Sequence, residues 1–340
     1  MKAVVIRNHG QGVEAWKLVD RPDLAPGPGQ VLVRVRAASL NYRDLLIARG
    51  HFGGPLKDDL IPLADGSGEV VALGAGVTRW KVGDRVAGSY FQTWQAGPLR
   101  ADYFQHMLGA GSTDGMLAQV VALPETGVVR IPSHLSFEEA ATLPCAGLAA
   151  WNALMEPSPR QRPGAAVLIL GTGGVSIFAV QLALAAGLRV IATSSSADKI
   201  ERLRGLGVTD TINSREMPEW QLEVLRLTRG EGVDQVIEVG GGGTLPRSLE
   251  AVKSAGTVSL IGHLTGTESE INPFPILVKA VRLEGVVVGS IQTFEQMSRA
   301  LEELALRPVI DKILPLHRAN EALAHMETAT HFGKIVVRVD

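Results

Sequence analysis

The stretch from Ala165 to Lys199, AAVLILGTGGVSIFAVQLALAAGLRVIATSSSADK, limits the possible folds more than any other part of the chain. Residues 165–170 form an apolar run too short for a helix, and the cluster Gly171-Thr172-Gly173-Gly174 would break one. Residues 175–186 are rich in Ala and Leu, Gly187 is placed to close a helix in the left-handed conformation, and residues 189–193 return to β-branched character. Strand, glycine turn, helix and strand at these lengths make a right-handed βαβ unit. By length alone, the charge-free span 165–188 also reads as a membrane helix. The glycine cluster argues otherwise, because it divides the span into a strand and a helix that a doubly wound sheet would bury.

A strand that turns at once into a helix presents the helix N-terminus, with unpaired N–H groups and the positive end of its dipole, to an anion. Gly171, Gly173 and Ser176 occupy the three positions of G-x-G-x-x-G, and the serine departs from the glycine or alanine that packs most closely. The context predicts a dinucleotide-binding turn in which Thr172, Gly174 and Val175 complete the pyrophosphate contacts. A turn between core elements with no ligand is the alternative. A P-loop is excluded, since no Gly-Lys-Ser/Thr follows. An NAD site places Asp or Glu about 20 residues beyond the turn to bond the ribose 2′-hydroxyl. Here stand Thr193, Ser194, Ser195 and Ser196, which leave room for a 2′-phosphate, with Lys199 close enough to offset its charge. NADPH is therefore expected over NADH. The competing reading of Lys199 is a solvated helix lysine, and Asp198 reads as a first-turn carboxylate complementing the helix dipole.

At 340 residues the chain exceeds what one core usually organises, so two domains are expected. A net charge of −2 gives no electrostatic reason to expect nucleic acid or an anionic membrane as partner. The single cysteine, Cys145, excludes an intrachain disulfide framework and a four-cysteine zinc lobe. The N-terminal MKAVVIRNHG is too short an apolar run for a signal peptide, and a cytoplasmic protein is expected.

Residues 1–128 look β-rich, with strand-like runs at 1–7, 31–37 and 69–73, a proline- and glycine-rich entry at 22–29, and Gly83-Asp84-Arg85-Val86 as a turn into a further strand. Residues 88–115 are irregular and aromatic, suiting either a loop over a binding cleft or a surface excursion. From 129 strands and helices alternate. Ser136 and Glu139 form a capping box, and strands follow at 210–212, 233–239, 256–261 and 281–288. The last of these, VRLEGVVV, is an apolar edge, and pairing with a second copy of the chain across it predicts a homodimer. Residues 293–306 form an amphipathic helix, and 333–339 a final strand returning to the first domain. The expected domains are thus 1–128 with 293–340, and 129–292.

Several motifs carry a family resemblance: Pro26-Gly-Pro-Gly-Gln-Val-Leu-Val, Asn41-Tyr42-Arg43-Asp44, Gly83-Asp84-Arg85-Val86, the run from Glu139 through Cys145, the Gly171 turn, and His331-Phe-Gly-Lys334. In their order and spacing the chain resembles the medium-chain dehydrogenase/reductase superfamily, and within it the zinc-independent alcohol-dehydrogenase-like and quinone-reductase-like branch. The resemblance implies an α/β fold: a β-rich GroES-like catalytic domain, a Rossmann domain with a doubly wound parallel sheet, and a substrate cleft between them. Zinc members use a cysteine, a histidine and a cysteine or aspartate as ligands, and by position this chain offers Asn41, Asp65 and Cys145. That is a poor donor set for catalytic zinc, so no metal is expected. Cys145 then reads as a small buried residue near the nicotinamide.

Without metal, reduction of a quinone or an α,β-unsaturated carbonyl fits best, because its negative charge falls on an oxygen that hydrogen bonds can meet. Tyr42 is the candidate donor or proton relay, against a reading as a packing aromatic. Asn41 by resemblance holds the nicotinamide ribose, while Arg43 and Asp44 read as a structural ion pair. Gly240 and Gly262 follow strands of the second Rossmann half, where ligands bind. His263 is a possible proton donor or a stacking residue. The resemblance also places Gly289 and Ser290 near the nicotinamide and Lys334 near the phosphates. The rivals are an alcohol dehydrogenase or carbonyl reductase, with or without metal assistance, and an NADPH-binding protein without turnover.

Overall fold

The computed structural model describes residues 1–7, 10–52, 54–156 and 162–339. They divide into two compact units, Met1–Leu148 with Val288–Asp340, and Ala149–Val287.

The second unit is built on six parallel strands. In spatial order they are Asp210–Asn213, Arg189–Ser194, Ala166–Leu170, Val233–Glu238, Val252–Leu260 and Arg282–Gly285. Numbered along the chain, this is the order 3-2-1-4-5-6 of the doubly wound fold, and its direction of winding reverses between Ala166–Leu170 and Val233–Glu238. The run long enough to span a bilayer is cut as its glycines require. All of Ala166–Leu170 is buried in the sheet, and the helix Gly174–Ala185 buries seven of its twelve residues. No helix among the described residues is long and apolar enough to cross a membrane. Gly187, at φ +71°, ends that helix in the left-handed conformation as expected.

The first unit holds a seven-stranded sheet in the order Ile310–Pro315, Lys334–Arg338, Gln30–Ser39, Asp65–Leu73, Arg85–Gly88, Val128–Arg130, with Val120–Pro124 also paired to Gln30–Ser39. A separate pair joins Lys2–Ile6 to Trp16–Asp20. The chain's last strand does return to this unit. It runs antiparallel to Gln30–Ser39, which pairs on its other side with Asp65–Leu73.

The boundaries differ from those read from the change of pattern near 129. Residues 129–148 belong with the first unit, because Arg130 pairs with Val86 and the Ser67 hydroxyl donates to the Phe137 carbonyl at 2.5 Å. The capping box is present, Ser136 Oγ accepting from Glu139 N and Glu139 Oε2 from Ser136 N, but its helix is only Phe137–Ala140. A π-helical turn, Leu143–Gly147, carries Cys145 into the helix Leu148–Met155. The predicted amphipathic helix is Ile291–Glu303, burying Ile291, Phe294, Met297 and Leu301 at helical spacing. The edge strand shortens from 281–288 to Arg282–Gly285, since Ala280 and Val288 flank it at positive φ.

The irregular segment after residue 88 has an aromatic core of its own. The Phe91 ring centroid lies 4.8 Å from that of Tyr90, 5.6 Å from Trp94 and 5.2 Å from Phe104, all edge to face, and Tyr103 stacks on Trp94. Tyr90, Phe91 and Trp94 are buried, so the segment is a packed excursion within the first unit.

Candidate functional site

In the second unit the strand ends on either side of the winding reversal carry the candidate cofactor site. Gly171 leaves its strand at φ +72°, in the left-handed region that favours glycine, and its N–H donates to Thr193 Oγ1 at 3.3 Å. The hydroxyl thus ties the turn to the end of the neighbouring strand. Gly173 precedes the helix Gly174–Ala185 as an N-cap that offers no side-chain acceptor, so the first-turn N–H groups are not claimed by a cap. The departure at the third motif position has a use. Ser176 is buried and its hydroxyl donates to the Leu170 carbonyl at 2.7 Å, closing helix onto strand where glycine would do so by lack of bulk.

At the end of Arg189–Ser194, Thr193 and Ser194 are buried and Ser195 is exposed. Ser194 Oγ accepts from Ser196 N at 3.3 Å, and no carboxylate stands in residues 193–196. Lys199 is half-buried in the helix Ala197–Gly205, whose N-cap is Ser196.

Across the reversal lies a residue the sequence reading missed. The Glu238 carboxylate is fully buried at the end of its strand and accepts from Gly240 N at 2.7 Å, Gly241 N at 3.1 Å and Thr244 Oγ1 at 2.6 Å on one oxygen, and from Ser248 Oγ on the other. Thr265 Oγ1 accepts from Gly243 N and donates to the Gly240 carbonyl, locking the turn after Gly262 onto the turn after Gly240. A Cβ on Gly240 would lie 2.2 Å from Thr244 Oγ1 and break the carboxylate's shell. His263 is exposed, and its backbone packs against Gly241. An acidic residue closing the apolar pair Val236-Ile237 just before four glycines was the available signal.

The first unit brings together a second set of predicted residues. Ser39 pairs with Asp65 on one side and Val336 on the other, so the three strands place Asn41, Asp65 and Lys334 side by side. Lys334 corrects the expectation of a phosphate contact. Its side chain is buried, and the ammonium donates to the Leu40 carbonyl at 2.5 Å, to Asn41 Oδ1 at 2.6 Å and to Asp65 Oδ2 at 3.3 Å. Three protons meet three acceptors, leaving none to reach outward.

Asn41 is the N-cap of the helix Tyr42–Ala48. Its N–H donates to Asp44 Oδ2 at 2.7 Å, while its own Nδ2 is buried toward the Asp65 carboxyl, whose pKa the Asn41 side chain helps to lower. Tyr42 is half-buried at the first helical position. Arg43 and Asp44 are buried beside each other, 3.8 Å apart. Arg43 donates to the Leu108 carbonyl and lies over the rings of Tyr90 and Phe52, and the expected ion pair with Asp44 is present. Gly289 and Ser290 also fall in this unit. Ser290 Oγ accepts from Thr293 N and caps Ile291–Glu303, so its hydroxyl serves the helix.

Burial governs the electrostatics here. It lifts the Asp44 carboxyl to about 6 against the pull of Arg43, and raises Asp65 against the pull of Lys334. Burial first, and then the Asp65 charge, push the Cys145 thiol up and hold it protonated. Two cations and two carboxyl groups already balance. A dication about 4 Å from the Lys334 ammonium would add repulsion on the order of 8 kcal/mol at an effective dielectric constant of 20. The residues therefore do not fit a catalytic zinc: one candidate ligand is a neutral amide, one carries a lysine, and only Cys145 is a good zinc donor. Among the described residues no group of three or more His, Cys, Asp or Glu could hold a metal ion.

Two family models match the chain, the alcohol dehydrogenase GroES-like domain over residues 27–133 and the zinc-binding dehydrogenase over 174–303. A zinc-type alcohol dehydrogenase-like protein of Schizosaccharomyces pombe is 41% identical over 318 residues, covering 92% of each chain. The chain belongs to the medium-chain dehydrogenase/reductase superfamily. Its two-domain architecture is that of solved members. An NAD-dependent alcohol dehydrogenase is 34% identical with a TM-score of 0.90 over all of both chains. A quinone oxidoreductase of Pseudomonas syringae pv. tomato is 30% identical with a TM-score of 0.82 over 99% of each. A crotonyl-CoA carboxylase/reductase solved with NADP matches as well, so related structures use either form of the nicotinamide carrier. This superfamily member is an oxidoreductase with a nicotinamide cofactor.

Proposed function

We propose that this superfamily member is an NADPH-dependent, zinc-independent reductase of quinones or α,β-unsaturated carbonyls that works as a homodimer. The observation that carries the reading is the buried Lys334 ammonium between Asn41 and Asp65, which leaves these residues no open coordination position for a Lewis acid. A conjugated acceptor suits such a site, because charge arriving with a hydride disperses onto an oxygen that hydrogen bonds can meet.

When bound, the nicotinamide supplies the hydride. The chain's own residues do the rest. Gly171, Thr172, Gly173, Gly174 and Val175 receive the pyrophosphate on the helix N-terminus, and Glu238 holds the Gly240 turn in place. Ser194, Ser195 and Lys199 accommodate the 2′-phosphate. Arg215 adds a second cation, since Ser214 N bonds the Ser194 carbonyl and brings the exposed Arg215 beside that strand end. Asn41 is assigned to the ribose by resemblance, and Tyr42 to donating toward the substrate oxygen or relaying its proton. Overall, substrate, NADPH and one proton give reduced substrate and NADP.

The helix Phe274–Val278 leads directly into the open edge strand Arg282–Gly285, Val281 N bonding the Ile276 carbonyl, and its Phe274, Leu277 and Val278 are 62%, 76% and 58% exposed. A second copy paired across this edge would cover both.

A panel of quinones, enones, aldehydes and alcohols assayed with NADPH and NADH tests the reading. Turnover of quinones or enones with NADPH by metal-free protein is expected. Stoichiometric zinc in active protein purified without chelator would refute it. The second reading, an alcohol dehydrogenase or carbonyl reductase, is favoured by the alcohol-dehydrogenase-like relatives and would show as turnover of the alcohol and aldehyde arm alone. Tight NADPH binding without turnover on any arm would point to a non-catalytic dinucleotide-binding protein.

A further inference from the structure

Lysines are seldom fully buried, and those that are need partners for each of their protons. Lys334 has them in the Leu40 carbonyl, Asn41 Oδ1 and Asp65 Oδ2. This is the oxygen shell of a small cation, with the cation tethered to the strand Lys334–Arg338 through its own side chain. The shell is built by topology. Gln30–Ser39 runs between the strands that begin at Lys334 and at Asp65, so neither partner can withdraw without breaking sheet pairing. Asp65 and Lys334 are 0% and 2% exposed, which keeps water from replacing either. Cys145, a soft donor, sits in the π-helical turn Leu143–Gly147, which packs against the strand that begins at Asp65.

We propose that Lys334 is a built-in cation occupying what would otherwise be a divalent-metal site made by Leu40, Asn41, Asp65 and Cys145, so that this one side chain both excludes metal and holds Asn41 and Asp65 in their working positions. The inference rests on the metal-independent reading above and deepens it. With all three protons engaged inside the unit, Lys334 is a positioning residue and does not donate to substrate. Its removal leaves a buried carboxylate, a carbonyl, an amide oxygen and a thiol around a vacated cation position; weak as this set is for catalytic zinc, its buried carboxylate then lacks a counter-charge, and a divalent ion is what would supply one.

The test uses Co(II), whose thiolate charge-transfer band reports ligation by Cys145. Protein without NADPH or substrate is titrated as wild type, Lys334→Met, and Lys334→Met with Cys145→Ser. The wild type should give no band and no Co(II)-dependent rise in Tm. Lys334→Met should develop the band, bind Co(II) at least about 100-fold more tightly, and melt higher in its presence, the order of effect expected when one unit charge is removed at close range. The double variant should lose the band. If Lys334→Met does not fold, Lys334→Gln carries the same test, since it keeps N–H donors for the oxygens without the charge.

A band in wild type, or a folded variant that binds Co(II) no better than wild type, overturns the proposal. Because the readout needs neither cofactor nor turnover, it separates from the functional reading. Enone reduction by wild type with no metal gain in the variant sinks the inference alone. Metal gain with a wild type inert toward the whole panel sinks the function alone.

Discussion

Replacing Glu238 by alanine should weaken the second unit and its cofactor site together, and the structure sets the size of the effect. The carboxylate accepts four hydrogen bonds, from Gly240 N, Gly241 N, Thr244 Oγ1 and Ser248 Oγ. The two hydroxyls can turn to nearby helix carbonyls, as Thr244 Oγ1 already does toward Gly241 O at 3.4 Å. The two backbone N–H groups have no such freedom, and each buried donor left unpaired costs about 1–3 kcal/mol, so Glu238→Ala should cost roughly 4 kcal/mol. For a unit of this size that is a fall of about 12 °C in Tm. Glu238→Gln keeps an acceptor toward the turn and a group Ser248 can bond, and should lose less than half as much. Thermal melts followed by near-UV circular dichroism, with NADPH binding by fluorescence titration, measure both effects. Affinity for NADPH should fall at least about tenfold in the alanine variant, the equivalent of 1.4 kcal/mol transmitted through the turn. A melt within about 3 °C of wild type would refute the claim that the shell holds the turn. A lower melt with unchanged NADPH affinity would remove the Gly240 turn from the cofactor site.

Lys199→Glu should weaken NADPH about tenfold or more while changing NADH by less than about threefold, as expected when a charge-assisted contact to a 2′-phosphate becomes repulsive; equal losses by titration calorimetry would count against the assignment. Leu277→Glu should convert the proposed dimer to monomer in analytical ultracentrifugation, since its 76% exposed side chain lies in the apolar helix that leads into the edge strand; a wild type that sediments as a monomer, or a variant with an unchanged sedimentation coefficient, would refute the proposed interface. Asp44 gives a pH dependence of unusual sign. Burial raises its folded value to about 6 from 3.8, so the folded state holds a proton that the unfolded state has released, and its contribution to stability, full below about pH 4, is lost as pH rises through 6. Its magnitude is up to roughly 3 kcal/mol, seen as a widening stability gain of Asp44→Asn over wild type across that window in urea titrations; a constant difference would show that Asp44 does not titrate there.

What was legible in the sequence was legible for local reasons. The glycine turn, the helix closed by Gly187 and the capping box at Ser136 are each fixed by residues within one or two turns of chain, and each appears where the sequence puts it. The misplaced boundary near 129 has the opposite cause. Residues 129–148 alternate like the second unit, but their unit is decided by pairing of Arg130 with Val86 and by the Ser67 contact to Phe137, which no local pattern encodes. Arg215 illustrates the same limit, because its place beside Ser194 depends on the order of strands in the sheet.

The site in the first unit follows this division to its sharpest case. Read one position at a time, Asn41 and Asp65 are poor metal ligands and Lys334 is a cation in a terminal strand. Sequence separation hides that all three belong to one contact, since Lys334 lies 293 residues from Asn41 and 269 from Asp65. The physical link is charge balance. A carboxyl group as buried as Asp65 needs a compensating cation, and so the loss of good zinc ligands in one half of a chain predicts a basic residue turned inward somewhere else. Exchanging the pair tests that reasoning directly. Either Lys334→Met or Asp65→Asn alone strands a buried partner and should cost about 3–5 kcal/mol, whereas the two together should cost much less than their sum. Urea unfolding of the four forms measures the coupling, and additive losses would mean that the ammonium and the carboxylate do not hold each other.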